Sequence, residues 1–239
     1  MLKLLLPFLL VLSLSAVAQA QSVAFVTEEY PPFSYRDGDE VKGATVDQVR
    51  RMMEGLGDYT IEMMPWARAY AQAQTTKMSC ALATAHTPER DPLFRWVQPL
   101  MIDRNILIKR RGAAVTARTL EEAKRYSVGT WRDDYSETLL RNLGFPKIDE
   151  ATNITATLRK LMNDRIDLMP MSELYYAKLV KDGQPIERVT NLTEQPLGIA
   201  CQKDFPEDLR QKMQAALDGL IADGTQKKIF LHYGMPLEN

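Results

Sequence analysis

Cysteine and histidine are scarce in this chain of 239 residues: Cys80 and Cys201, His86 and His232 are all it has. Four such residues spread this widely make no persuasive metal site, and no cofactor is expected. A Gly-rich phosphate loop, a GxSxG elbow, an HExxH helix and a cysteine–histidine pair of recognisable spacing are all missing. Their absence removes the enzyme classes those motifs mark. His86 lies near Arg90 with no evident nucleophile beside it, so a structural role is expected. Surplus positive charge is lacking too. The formal net charge is −1, and losing Lys3 on processing would make it one unit more negative. That argues against a nucleic-acid partner. After the first twenty residues no apolar run is long enough to span a membrane. Repeats, low-complexity segments and disordered linkers are also absent.

What is present begins with a leader. Lys3, the nearly unbroken apolar run Leu4 to Val17 and the small residues of Ala18-Gln19-Ala20 read as a signal peptide over residues 1–20, cleaved before Gln21. No cysteine follows the cleavage site, so a lipid anchor is not expected. The remaining ~220 residues suffice for one large domain or two lobes of an exported soluble protein. Export makes a disulfide between Cys80 and Cys201 possible, although a buried free thiol is equally ordinary in such apolar runs. Asn153-Ile154-Thr155 and Asn191-Leu192-Thr193 match the glycosylation pattern by chance.

Strands and helices alternate along the chain. Ser22 to Thr27 reads as a strand, and Pro31-Pro32 ends regular structure. Val46, Val49, Met53 and Leu56 hold helical spacing up to Gly55 and Gly57. Tyr59 to Met64 is a strand, WARAYAQAQ a short helix after Pro65, and Cys80 to Ala83 a third strand. This order predicts an α/β lobe with a largely parallel sheet. Asn105 to Lys109 leads into a second set: a strand at Tyr126 to Thr130, a helix through Leu139, Leu140 and Leu143, another through Leu158, Leu161 and Met162, and a strand at Ile166 to Met169. Leu197 to Gln202 is the last strand, and two helices close the chain. Two such sets joined by strands predict two lobes with a cleft between them.

Tyr30 follows the first strand, Trp66 the second and Thr87-Pro88-Glu89-Arg90 the third, where open α/β sheets place ligands. Taken singly, each is as readily a lid over the core or a solvated charge. Their shared position points to a binding edge.

Five stretches then carry a resemblance that covers Ser22 to Gly234. EEYPPFSYRDGDEVKGATVDQVRRMMEGLG, MPWARAY, TPERDPLFRWVQPLM, VGTWRDDYSETLLRNLGF and LRKLMNDRIDLMPMSELYYA occur in the order seen in bacterial periplasmic solute-binding proteins of family 3, the polar amino-acid-binding type. The resemblance implies two α/β lobes joined by two hinge strands near Asn105–Lys109 and Leu197–Gln202. Residues 21–104 and 203–239 would form lobe 1, and residues 105–202 lobe 2. It also implies a small-molecule ligand sandwiched by Tyr30 and Trp66, with its carboxylate on Arg90, whose planar fork suits that group. Pro31-Pro32 would turn Tyr30 to the cleft while Phe33 packs inward. By the same likeness Ala85 stands where a hydroxyl is usual. The turn that meets the carboxylate falls at Arg132-Asp133-Asp134, and the acid that holds an ammonium group is replaced by Ser172, with Glu173 next to it. Arg68 would add a positive group beside Trp66, or stand solvated at the start of its helix.

The expectation is thus a monomeric periplasmic protein that binds a small polar, anionic or amino-acid-like molecule for an inner-membrane ABC permease or a sensor protein, without catalysis. Ser172 carries no charge, so ordinary α-amino acids are expected to bind poorly. The alternative implied by resemblance is a cyclohexadienyl dehydratase-like enzyme of the same fold, with Glu173 or Asp134 as general acid.

Overall fold

The structure, a computed structural model, describes residues 22–235. The signal peptide read at residues 1–20 lies outside the described residues.

Lobe 1 is built on β1 (Val23–Thr27), β4 (Tyr59–Met63) and β5 (Ser79–Ala85), which pair in parallel in the order β4-β1-β5. Between them run a small hairpin of β2 (Tyr35–Asp37) and β3 (Glu40–Lys42), α1 (Ala44–Met52) and α2 (Trp66–Thr75). Val49 and Met52 turn one face of α1 into a core with Phe25, Leu82, Leu100, Ile199, Met213 and Leu217. Met213 and Leu217 belong to α7 (Glu207–Ala222), which with α8 (Thr225–His232) brings the end of the chain back to lobe 1.

Two 16-residue strands carry the chain between lobes. β6 (Arg95–Arg110) and β10 (Ile186–Cys201) pair antiparallel along their whole length, with β10 also against β5. Both are far longer than the hinge segments read from sequence. The polar outer half of β10 alternates half-buried and exposed positions, which hid it. At their lobe 1 end Cys80 and Cys201, opposite one another on β5 and β10, form a disulfide. The pairing left open by the sequence is therefore settled, and it closes a loop that contains the whole of lobe 2.

In lobe 2, β7 (Val128–Trp131) pairs in parallel with β8 (Ile148–Ala151), and β9 (Met169–Ser172) pairs with β6 so that Ser172 stands opposite Asn105. This strand begins where Ile166 to Met169 was expected to end; Leu168 makes only a bridge to Val128. Helices α3 (Leu120–Ala123), α4 (Tyr135–Asn142), α5 (Ile154–Met162) and α6 (Glu173–Lys181) complete the lobe. Asn153 caps α5 through its side chain rather than standing free. α5 and the segment after it pack so close to β7 that a Cβ on Gly129 would sit 3.0 Å from Thr157 Cγ2 and 2.2 Å from Ile166 Cδ1. One buried apolar cluster spans both lobes, joining Trp66, Ala69 and Phe94 to Trp131, Leu161 and Met171.

Candidate ligand site between the lobes

The Pro31-Pro32 corner is fixed from behind by the start of α1. Its first amide groups have no partner within the helix. Ala44 N donates to Pro32 O at 2.9 Å and Thr45 N to Phe33 O at 3.1 Å, with the Thr45 hydroxyl on the same oxygen at 2.9 Å. Gly43 makes this approach possible. Its φ is 133°, and a Cβ there would lie 2.1 Å from Phe33 O. Thr27 and Ser34 hydroxyls meet at 2.7 Å across the corner. Phe33 is thereby buried under the stacked ring of Tyr30, centroids 5.6 Å apart. Tyr30 projects from lobe 1 into lobe 2, against Tyr175 at 5.0 Å and Trp131 at 6.3 Å.

Hydrogen bonds tie the lobes together across the cleft. Ser172 N donates to Tyr30 OH at 2.9 Å. Trp66 Nε1 and Arg90 Nη2 both donate to the carbonyl of Asp133, at 2.9 and 2.6 Å. Asp133 holds φ at 60°, a left-handed turn that aims this carbonyl at lobe 1. The lobes therefore close tightly on one another and leave a cavity of about 50 Å³ between them.

Of the residues singled out from sequence, Tyr30, Trp66, Ala85, Arg90 and Asp134 line this space. Asp133 contributes its carbonyl and leaves its side chain exposed. Ser172 is buried just behind the wall. Arg68 is exposed on α2 and away from the cavity, because it stands two positions round the helix from Trp66. Arg132 is spent on Glu150, and Glu173 on Arg188, both outside the cavity. The expectation that these three charges line the cleft is corrected accordingly. His86 has a structural place, its ring nitrogens on Gln98 and Asp91 and its ring on Trp96 at 4.3 Å.

Sequence reading missed Glu28, Asp103, Trp131 and Tyr135, which also line the cavity. Asp103, on β6, is 5% exposed. It accepts from Ser172 Oγ at 2.6 Å and from Asn105 Nδ2 at 2.9 Å. Burial pushes its carboxyl up to about 7, against the lowering effect of those two bonds. Burial likewise raises Glu28 well above the usual carboxylate range, with Asp134 adding to it. The indole N–H of Trp131 faces Glu28 and lowers it, without closing a hydrogen bond of normal geometry. Asp134, also raised by burial, caps α4 through Ser136 N and is partly compensated by Arg90.

Arg90 is 7% exposed and lies over the Tyr70 ring at 4.8 Å. Its Nη1 is buried without a partner, as are Trp131 Nε1 and Tyr135 OH. The cleft thus combines unspent donors with desolvated carboxylates. Arrangements of this kind suit a molecule that carries both an anionic and a cationic group. Among the described residues, no group of three His, Cys, Asp or Glu side chains is placed to hold a metal ion.

No curated protein matches the chain. Solved structures do. The arginine-, lysine-, histidine-binding protein ArtJ from the thermophilic bacterium Geobacillus stearothermophilus is 18% identical, with a TM-score of 0.80 over 89% of this chain and 95% of that one. A histidine kinase sensor domain with similarity to periplasmic binding proteins is 16% identical, TM-score 0.81, over 89% and 96%. The ancestral amino-acid-binding protein AncCDT-1, a precursor of cyclohexadienyl dehydratase, is 22% identical, TM-score 0.76, over 89% and 95%. Identities this low carry the fold and nothing finer. Residues 23–236 match the family described as bacterial extracellular solute-binding proteins, family 3. With two α/β lobes closing on a small cleft and a family match along nearly its whole length, the chain belongs to the family 3 extracellular solute-binding proteins.

Proposed function

We propose that the protein works in the periplasm, where it captures a small amino-acid-like solute by lobe closure and delivers it to an inner-membrane ABC transporter. The observation that carries this reading is the buried, unpartnered Nη1 of Arg90 in a cleft that also holds Glu28, Asp103 and Asp134. A purely anionic ligand would meet Arg90 but leave those acids desolvated and unbalanced. An amino-acid-like ligand serves both sides, its carboxylate on Arg90 and its positive end toward the acids. Ser172 gave reason to expect poor binding of α-amino acids, but that reason falls away, since Asp103 brings a carboxyl to the Ser172 hydroxyl.

A second reading has its own support. Carboxyls raised by burial in a closed cleft are what a general acid requires, so a dehydratase-like activity competes with simple binding. A thermal-shift screen of the twenty standard amino acids, small organic acids and amines, followed by calorimetry, tests the proposal. At least one standard amino acid should bind and be recovered chemically unchanged. Turnover of the ligand would favour the enzyme, and stabilisation by simple carboxylic acids alone would overturn the amino-acid-like assignment.

A further inference from the structure

Three acids line the cleft, and they are not equivalent. Asp134 already accepts from the backbone at the start of α4 and lies in the field of Arg90. Glu28 is half-buried in the irregular segment after β1, with an indole N–H turned toward it. Asp103 differs from both. It sits on β6, a strand paired on both sides, with β10 and β9 flanking it. Neutral donors hold each of its oxygens in place, Ser172 Oγ on Oδ1 and Asn105 Nδ2 on Oδ2. A carboxylate has about four acceptor positions, so two remain. The charges that bear on it most are Asp134 and Glu173, of its own sign. Its partner Ser172 is also the residue whose backbone N–H meets Tyr30 across the lobes, so this carboxylate is positioned at the contact that closes the cleft.

Building on the amino-acid-like reading of the cleft, we infer that Asp103 is the anchor for the ligand's ammonium group. The preorganised oxygens of Asp103 receive the ammonium protons while the free arm of Arg90 takes the carboxylate. Selectivity for amines over their uncharged counterparts then originates in the hinge strand, with Ser172 acting as a positioning residue that orients the carboxyl.

The probe is the tightest binder among the twenty standard L-amino acids, titrated calorimetrically beside the same molecule with hydrogen in place of its α-ammonium group. The natural chain should prefer the amino acid by about 100-fold, the range for a hydrogen-bonded charge pair. Asp103→Asn should lose that preference because the amino acid binds more weakly while the deaminated acid, relieved of a nearby carboxylate, binds at least as tightly, and that binding also shows that the variant is folded. Because Ser172 Oγ and Asp103 Oδ1 are 2.6 Å apart, the reciprocal exchange, Asp103→Ser with Ser172→Asp, keeps one carboxyl at nearly the same point and should restore a preference of at least tenfold. An undiminished preference in Asp103→Asn overturns the inference and leaves the functional reading standing. Binding of none of the twenty by the natural chain overturns both.

Discussion

Asp103→Asn in the absence of ligand should stabilise the protein, and by an amount that depends on pH. In the folded chain the carboxyl is raised to about 7, chiefly by burial, with Asp134 and Glu173 adding to it. In the unfolded chain it returns to the ordinary aspartate value near 3.9. Between these values the folded state holds a proton that the unfolded state has released. Stability from this group is therefore complete below about pH 4, falls as pH rises and is lost above about 7. Three units at about 1.4 kcal/mol each give about 4 kcal/mol as an upper figure. Asparagine is nearly isosteric and neutral throughout. It can still accept from the Ser172 hydroxyl, and Asn105 can turn its amide to face the new NH2. Urea unfolding followed by tryptophan fluorescence at a series of pH values measures the difference between the two proteins. That difference should be near zero at pH 4 and grow to a few kcal/mol in favour of Asp103→Asn at pH 8. Glu28 titrates in both proteins, while the repulsion between Asp134 and Asp103 is part of the difference measured. Parallel stability curves from pH 4 to 8 would show that Asp103 ionises as it does in water, and would refute the desolvated cleft.

Gly43→Ala should destabilise by roughly 3 kcal/mol or more in the same assay, through strain at a positive φ and a clash with the Phe33 carbonyl; a loss below 1 kcal/mol would mean that the corner is not clamped as described. Reduction of Cys80–Cys201, which closes a loop with a sequence separation of 121, should cost about 2–4 kcal/mol. An unchanged melting temperature with both thiols demonstrably free would count against it.

The lobes were legible because burial imposed periodicity on β1, β4, β5 and α1. β6 and β10 were cut short in the reading because Pro99 and Pro196 lie within them and their outer halves are polar. The cleft was legible where an aromatic or arginine followed a strand, as at Tyr30, Trp66 and Arg90. It was not legible at Asp103. A single acid in the middle of a strand carries no local signal, and only the pairing of β6 with β9 places it beside Ser172. The one available hint was the sequence MIDRN itself, where an acid follows two apolar residues and precedes the apolar run from Ile106. Arg68, Arg132 and Glu173 were drawn in by neighbourhood along the chain, which does not fix the direction of a side chain.

The measurement that bears most directly on the account is calorimetric titration of Arg90→Ala with the tightest-binding standard amino acid, beside the natural chain. With the free Nη1 gone, and with it the bond to the Asp133 carbonyl across the lobes, affinity should fall by roughly one to two orders of magnitude. Equal affinity in the two proteins would mean that the ligand's anionic group lies elsewhere, and that the closed cleft described here is not where the solute is held.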